Sequence, residues 1–417
     1  MIVMKFGGAV LSNTEGFENM LRIVSAKKSN KILLVISAFS KSTRSLKAAA
    51  FYAESGSLDL ALDSIQDLKS QYLDFANRLL SDDAGLTKLI VEYDKSFTQI
   101  NDLLRGVAIT KELTLRTLDA IMSFGEKLSL ITAYNYLAAN GMAIAFIDSV
   151  EIIKTDNNYG NAKPYLEICE QNIHSKVQAI FTDNDIVITQ GFVASSIAGE
   201  ITTMGIESSN LTAAIYAKYL CATEFVIFTD VEGVRSADPK VYDNTEIIPY
   251  LSYDQAYSAG VNGLKLIFPK MIDIIRSVEM TLCIKSAALP NGEYTIISST
   301  PNSNDTSIRI DMPDLYLSES RFASKYEEES LQPYIANSKS EILTINANNE
   351  WWALSNSQRI IQLSPNNEVK PIPVQLTTFI SANGNIISEY NQYRNQIDAE
   401  KILKVIIQES SIRFVYK

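Results

Sequence analysis

The sequence predicts an α/β protein: a parallel sheet of βαβ units over about the first 300 residues, then a smaller α+β domain. Three observations predict it. Short apolar runs alternate with helical patterns from the first residues onward, and parallel strands need such helical crossovers. Residues 298–307 (SSTPNSNDTS) are polar, turn-rich and aperiodic, which reads as a linker. Beyond them the pattern changes to short strands with a helix among them.

Residues 2–8 (IVMKFGG) form a short apolar run with one lysine, Lys5, ending in Gly7-Gly8. The run reads as a buried strand. Glycine lets the backbone approach a ligand closely, so successive N–H groups can point at an anion. A helix follows from about Glu15, with Phe17, Met20, Leu21 and Val24 on one face. Strand, glycine turn and helix make an anion site with its own ammonium group; an ordinary first βα unit with a surface lysine fits the same residues. No GxxxxGK[ST] occurs, so this is not a P-loop. Residues 31–37 (KILLVIS) are a second buried strand, running into the polar turn 38–44. From 46 to 140 the pattern is mostly helical. The final helix, about 115–137, contains Ser123-Phe124-Gly125-Glu126. A glycine within a helix costs about 1 kcal/mol against alanine, so Gly125 marks a close approach. Glu126 is then either an exposed helix glutamate or a functional carboxylate.

Residues 143–148 (AIAFID) and 186–190 (IVITQ) are the next strands, the second ending at Gly191. Residues 199–210 (GEITTMGIESSN) lead into a helix at about 211–220. Ser208, Ser209 and Asn210 suit its N-terminus, either as plain caps or as part of an anion site. Residues 223–229 (TEFVIFT) are a strand closing on Asp230-Val231-Glu232-Gly233, and Asp238-Pro239-Lys240 continues the loop. Residues 253–259 and 263–278 read as helices, the second carrying Lys265 before Pro269. Residues 281–285 are the last strand of this set. After the linker, 342–345, 351–354 and 359–363 read as strands and 399–408 as a helix, with Trp351-Trp352 in a core or interface.

Composition removes several function classes. The chain has 417 residues, 46% of them hydrophobic, enough for two or three domains with real cores. A formal net charge of −11 argues against life on nucleic acid or anionic membrane. No apolar run reaches the roughly 18 residues of a membrane span. Lys5 and two glycines interrupt the first apolar run, which therefore does not read as a signal peptide. Cys169, Cys221 and Cys283 are far apart and odd in number, which suits buried free thiols in a reducing compartment, the cytoplasm. The single histidine, His174, lies in a helical stretch and reads as a surface residue. Histidine triads and histidine-rich metal sites have little to work with.

Taken in order, these motifs resemble those of the aspartokinases, within the amino acid kinase superfamily. Lys5-Phe6-Gly7-Gly8 resembles the family's opening KFGG. Ser37-Ala38 with Thr43 is similar to its second-strand loop, and Ser123-Phe124-Gly125-Glu126 to its SFGE helix. Thr189-Gln190-Gly191-Phe192 resembles its TQGF, and Thr229-Asp230-Val231 with Gly233 and Asp238-Pro239 its TDVxG…DP loop. The segment from Gly263 to Pro269 is similar to its GAKVLHP. The resemblance covers about residues 1–300.

It implies a three-layer αβα sandwich at 1–300 and an ACT-like regulatory and dimerisation domain at 305–417. It implies ATP-dependent phosphorylation of the L-aspartate β-carboxylate to 4-phospho-L-aspartate, the first step towards lysine, threonine and methionine. Lys5 would sit on the transferring phosphate and Lys265 on the nucleotide phosphates, with Asn210 standing where the family's phosphoryl-transfer aspartate lies. Thr43, Glu126 and Ser209 would hold aspartate. Gly7, Gly8, Ser37, Thr229, Asp230, Arg235, Lys240 and Lys265 would line the nucleotide site. Mg2+ would arrive with ATP, and a homodimer and an amino-acid effector are implied too. The chemistry suits the residues: a carboxylate is ionised at pH 7 and needs no general base, whereas two anions brought together need fixed positive charge.

Four departures from the family pattern sit in one loop. Ile206 replaces an arginine that clamps the substrate's α-carboxylate, Glu207 and Ser208 replace two glycines, and Asn210 replaces an aspartate. Ala9-Val10 removes two hydroxyls, Arg235 replaces a tyrosine and Phe268 a histidine. Three readings follow: a working aspartokinase in which Arg44 or another base takes over the clamp, a kinase for a different small acid, or a silent subunit or sensor that binds nucleotide or amino acid.

Overall fold

The computed structural model describes residues 1–39, 41–299, 307–321, 350–355, 362–364, 367–368, 372–381, 386–398, 401–408 and 411–416. They belong to two compact units. One comprises Met1–Val234, Ile247–Tyr257 and Lys265–Asn302; the other Arg235–Glu246, Ser258–Leu264 and Ser303–Lys417.

Strands of the first unit are β1 (Ile2–Phe6), β2 (Ile32–Ile36), β3 (Ile144–Phe146), β4 (Lys154–Thr155), β5 (Ile186–Gln190), β6 (Val193–Ser196), β7 (Ile201–Thr203), β8 (Glu224–Thr229), β9 (Tyr250–Ser252), β10 (Leu282–Ser286) and β11 (Thr295–Ser298). Eight form one sheet in the order β3-β5-β2-β1-β8-β10-β11-β9. All neighbours in it run parallel except β10 and β11. The expected α/β class is what the chain adopts.

Helices supply the crossovers: α1 (Thr14–Ala26), α2 (Ser42–Glu54), α3 (Leu58–Leu79), α4 (Asp83–Thr110), α5 (Leu115–Ala139), α6 (Ser149–Ile152), α7 (Leu166–Asn172), α8 (Gln178–Asp183), α9 (Ser209–Tyr219), α10 (Tyr253–Val261) and α11 (Pro269–Arg276). β1 and β2 are buried almost throughout, as near-continuous apolar runs in a covered parallel sheet should be. Ile2, Met4 and Phe6 join Phe17, Met20 and Val24 of α1 and Leu46, Tyr72, Phe97 and Leu128 of the helical block in one core. Side chains alternate across a strand, so Val3 and Lys5 take the opposite face. On the carboxyl side of β1, Lys5 pairs in register with Val35 of β2 and Ile227 of β8.

The second unit contains β12 (Ile308–Arg321), β13 (Glu350–Ser355), β14 (Gln362–Ser364), β15 (Asn367–Glu368), β16 (Ile372–Ile380), α12 (Ile386–Arg394), β17 (Ile402–Gln408) and β18 (Ser411–Tyr416). Five strands form an antiparallel sheet in the order β13-β12-β16-β18-β17 over a core of Phe379, Tyr393, Ile397, Ile412 and Phe414. The segment Arg235–Glu246 is stitched to β12: Arg309 N–H donates to Ser236 O at 2.7 Å, and Tyr242 OH to Asp311 Oδ2 at 2.8 Å.

Several expectations change. Residues 402–408 are a strand, not the helix expected at 399–408; a run of β-branched residues pairs antiparallel with β18. The helix expected at 263–278 starts only at Pro269, which occupies the first helical position, leaving Lys265 on a loop. The small sheet of β4, β6 and β7 was not expected, because Val193–Ser196 (VASS) lacks an apolar period. His174 is exposed and its Nε2 lies 3.0 Å from Tyr219 O. The three cysteines are free as expected, but only Cys169 is buried; Cys283 is half-buried and Cys221 is exposed. No described helix is long and apolar enough to cross a membrane. The strand expected at 342–345 lies outside the described residues, as do the side chains of Trp351 and Trp352 and most of the linker.

Candidate active site

In a parallel sheet the turns that leave the carboxyl ends of adjacent strands converge, and ligands sit among them. Here β1, β2, β5 and β8 deliver Gly7-Gly8, Ser37-Ala38, Gly191 and Thr229 to one end. Their backbones are in close contact. A Cβ on Gly8 would fall 2.0 Å from Ala38 O, and one on Gly191 would fall 2.6 Å from Ser209 Cα. The first contact locks the turn after β1 to the turn after β2; the second seats β5 on the start of α9. Gly7 N–H continues the ladder to Phe228 O at 3.0 Å, so that donor is already used.

These elements enclose a cavity of about 500 Å³. Lys5, Gly7, Gly8, Ser37, Thr43, Glu126, Ser209, Asn210, Thr229 and Lys265 all line it, together with Lys41, Ile206 and Glu207. Gly125 allows α5 this close: a Cβ there would meet Thr43 Oγ1 at 3.2 Å and Ala38 Cβ at 3.3 Å. Glu126 is thereby buried, not exposed, at 5%. A larger cavity, about 790 Å³, lies between α4, α5 and the β6–β7 hairpin and holds none of the predicted site residues.

Electrostatics follow from this burial. Desolvation pulls the Lys5 ammonium down to about 8, against the opposing charges of Glu207 and Glu126. Desolvation pushes Glu126 up to about 8, while the backbone N–H groups of Glu126 and Ala38 and the charge of Lys5 act the other way. Glu126 Oε2 accepts no hydrogen bond among the described residues. Glu207 is exposed by surface area, yet its carboxyl is close enough to protein for desolvation to raise its pKa, with Lys265 and then Lys5 lowering it. Its backbone is left-handed, φ +70°, the conformation that favours glycine. Ile206 beside it is 76% exposed.

At the start of α9, Ser208 makes no side-chain cap and its Oγ has no hydrogen-bond partner among the described residues. Asn210 is buried, donating weakly to Leu266 O at 3.4 Å, and its Oδ1 accepts no bond there. Of the two, Asn210 lines the cavity and Ser208 does not, and a polar atom without a partner at a cavity wall is where a polar ligand belongs.

Not every candidate converges. Asp230 is exposed, accepts from Thr229 Oγ1 at 3.0 Å and does not line the cavity. Arg44 is exposed and does not line it either, so the cation beside Thr43 is Lys41. Arg235 and Lys240 belong to the second unit, where Arg235 donates to Thr245 Oγ1 and Thr245 O, each at 2.8 Å. Asp119 escaped the sequence reading: seven residues before Glu126, it shares that face of α5 and grips the loop that carries Ile206 to Asn210.

Comparison with known proteins agrees with this layout. The model of the amino acid kinase family matches residues 1–286. Aspartokinase 1, chloroplastic, of Arabidopsis thaliana is 29% identical over 306 residues, 72% of this chain and 52% of that protein. A bifunctional aspartokinase/homoserine dehydrogenase of Haemophilus influenzae is 26% identical over 315 residues, 74% of this chain and 38% of that protein. The chain thus spans about half, or less, of the length of these curated relatives. In fold, the crystal structure of E. coli aspartokinase III in complex with aspartate and ADP matches with a TM-score of 0.82 at 18% identity, over 100% of this chain and 96% of that one. The aspartate kinase of Clostridium acetobutylicum matches with a TM-score of 0.69 at 16% identity, over 100% and 95%. With the family model covering the whole of the sheet from β1 to β10, the chain belongs to the amino acid kinase family.

Proposed function

We propose that the protein is an aspartate kinase, transferring the γ-phosphoryl group of ATP to the β-carboxylate of L-aspartate. The observation that carries this is the convergence of Lys5, Lys265, Glu126 and Asn210 on one cavity beside the Gly7-Gly8 turn. The aspartokinases among the relatives support it, as does the aspartate and ADP complex of the E. coli enzyme.

Each group has a task. Lys5 and Lys265 offset the repulsion between carboxylate and triphosphate, which is the main obstacle to this transfer. The glycine turn admits the phosphates where a side chain would block them. Thr229 and Ser37 border the nucleotide, and the family resemblance adds Asp230, Arg235 and Lys240. Glu126, with Thr43 and Ser209, receives the amino acid, whose ammonium group draws the buried carboxyl into its ionised form on binding and pairs with it. No group of three or more histidine, cysteine or acidic residues suited to a metal occurs among the described residues. Mg2+ would enter with ATP, held mainly by phosphate oxygens and water, as the family resemblance implies.

Residues 1–300 would form the kinase part and 305–417 an ACT-like part that pairs subunits as a homodimer and takes an amino-acid effector. The lysine and aspartate complex of E. coli aspartokinase III supports the effector. The free cysteines support a cytoplasmic protein.

A second reading is a silent subunit or sensor. It is favoured by Glu207, whose carboxylate interacts with both lysines. Purified protein with Mg-ATP and L-aspartate, with hydroxylamine to trap acyl phosphate, decides between them. Hydroxamate above a Lys5→Ala control is expected; none, with ATP still bound, would overturn the kinase reading in favour of the second.

A further inference from the structure

Asp119 is 1% exposed, inside α5, and hydrogen bonds hold its carboxylate against the upward pull of burial on its pKa. It is spent entirely on three donors. Oδ2 accepts from Gly160 N and Thr203 N, each at 2.8 Å, and Oδ1 accepts from Thr203 Oγ1 at 2.7 Å. Thr203 ends β7 and opens the loop of Met204, Gly205, Ile206 and Glu207 that runs into α9. Thr203 O in turn accepts from Ala162 N at 2.9 Å, so the turn before Ala162 and the loop are clamped as one piece. Lys270 Nζ closes the far side on Asn161 Oδ1 at 3.0 Å, and a Cβ on Gly205 would lie 3.4 Å from that same oxygen.

We propose that Asp119 is a positioning residue that fixes the 203–210 loop against the rigid helix carrying Glu126, and so sets where Glu207 and Asn210 stand in the cavity. It does not line the cavity. The geometry favours this role because both anchors, Asp119 and Glu126, lie on one face of one helix, two turns apart. The distance between the Glu126 carboxyl and the loop is thereby fixed by a single rigid element. A carboxylate accepting backbone N–H groups is also hard to replace: an amide in its place turns an N–H towards an N–H.

The effect on turnover rests on the kinase reading above, so the test has a readout that does not. Hydrogen exchange would be followed in Asp119→Asn and wild type, alongside kcat and KM. Exchange is expected to rise at least about tenfold in peptides covering 203–210 and 157–162, and nowhere else, as local opening of a clamped segment predicts. Turnover is expected to fall by about a hundredfold, the scale for a displaced reacting geometry, with KM for ATP nearly unchanged. Should Asp119→Asn fail to fold, Thr203→Val, which removes only the Oδ1 bond, carries the same comparison. Unchanged exchange in the loop, or exchange raised uniformly over the chain, would overturn the proposal. A wild-type protein without turnover would remove the kinase reading and leave the exchange result to decide on Asp119.

Discussion

A Cβ added to Gly8 would stand 2.0 Å from the carbonyl oxygen of Ala38, so the turns leaving β1 and β2 meet backbone to backbone. Nothing flexible lies between them to give way. Gly8→Ala is expected to destabilise the first unit by about 1–3 kcal/mol, as overpacking does, and to abolish nucleotide binding. Urea unfolding and calorimetry with ATP check both.

Glu126 provides a pH signature. Its proton is retained in the folded protein up to about 8, against 4.5 in the unfolded chain. The native state therefore holds a proton that the unfolded state has lost, and stability from this group declines as pH rises through that window. Glu126→Gln lacks the decline. The Tm of the variant is expected to gain on wild type steadily from about pH 5 to about pH 8. Its KM for aspartate is expected to rise by about tenfold or more, the scale for losing a hydrogen bond to a charged group.

Glu207→Gly changes two things in the same direction. The left-handed φ of +70° ceases to be strained, a gain of about 1 kcal/mol, and a negative charge facing Lys5 and Lys265 disappears. Nucleotide affinity is expected to rise by about fivefold, equivalent to about 1 kcal/mol. Thermal unfolding and calorimetric titration with ATP give the two numbers. Weaker ATP binding in the variant would mean that Glu207 contacts the nucleotide favourably.

Ile206 is 76% exposed at the cavity rim, so a longer side chain there displaces no core. Ile206→Arg adds a cation that can hold a carboxylate through two parallel N–H bonds. The expected outcome is a KM for aspartate lowered by about tenfold, with stability within about 0.5 kcal/mol of wild type. A KM that stays put would show that the substrate's α-carboxylate is bound elsewhere.

Much of the first unit was legible because parallel strands buried on both faces appear as unbroken apolar runs. Ile2–Phe6, Ile32–Ile36 and Ile186–Gln190 are of this kind. Gly125 was legible for a different reason: a glycine inside a helix is a local penalty, and the cavity-side contact with Thr43 and Ala38 explains it. Ile402–Gln408 was misread because a sheet strand with apolar residues on both sides has no period to distinguish it from a helix. The grip of Asp119 on Thr203 was hidden by distance: 84 residues separate partners that only the folded chain brings together. Arg235 and Lys240 were grouped with Asp230 by the family resemblance, and the chain crosses into the other unit between Asp230 and Arg235.

That crossing bears on how the protein can be cut. Arg235–Glu246 and Ser258–Leu264 belong to the second unit although the first resumes after each. Ser236 O takes the Arg309 N–H, and Asn262 Oδ1 takes the Thr378 hydroxyl at 3.5 Å. A protease acting in the polar stretch near residue 300 would sever one of the five crossings of the chain between the units. The fragments would stay together until denatured, and a gene truncated there would yield the first unit with two segments stripped of their sheet.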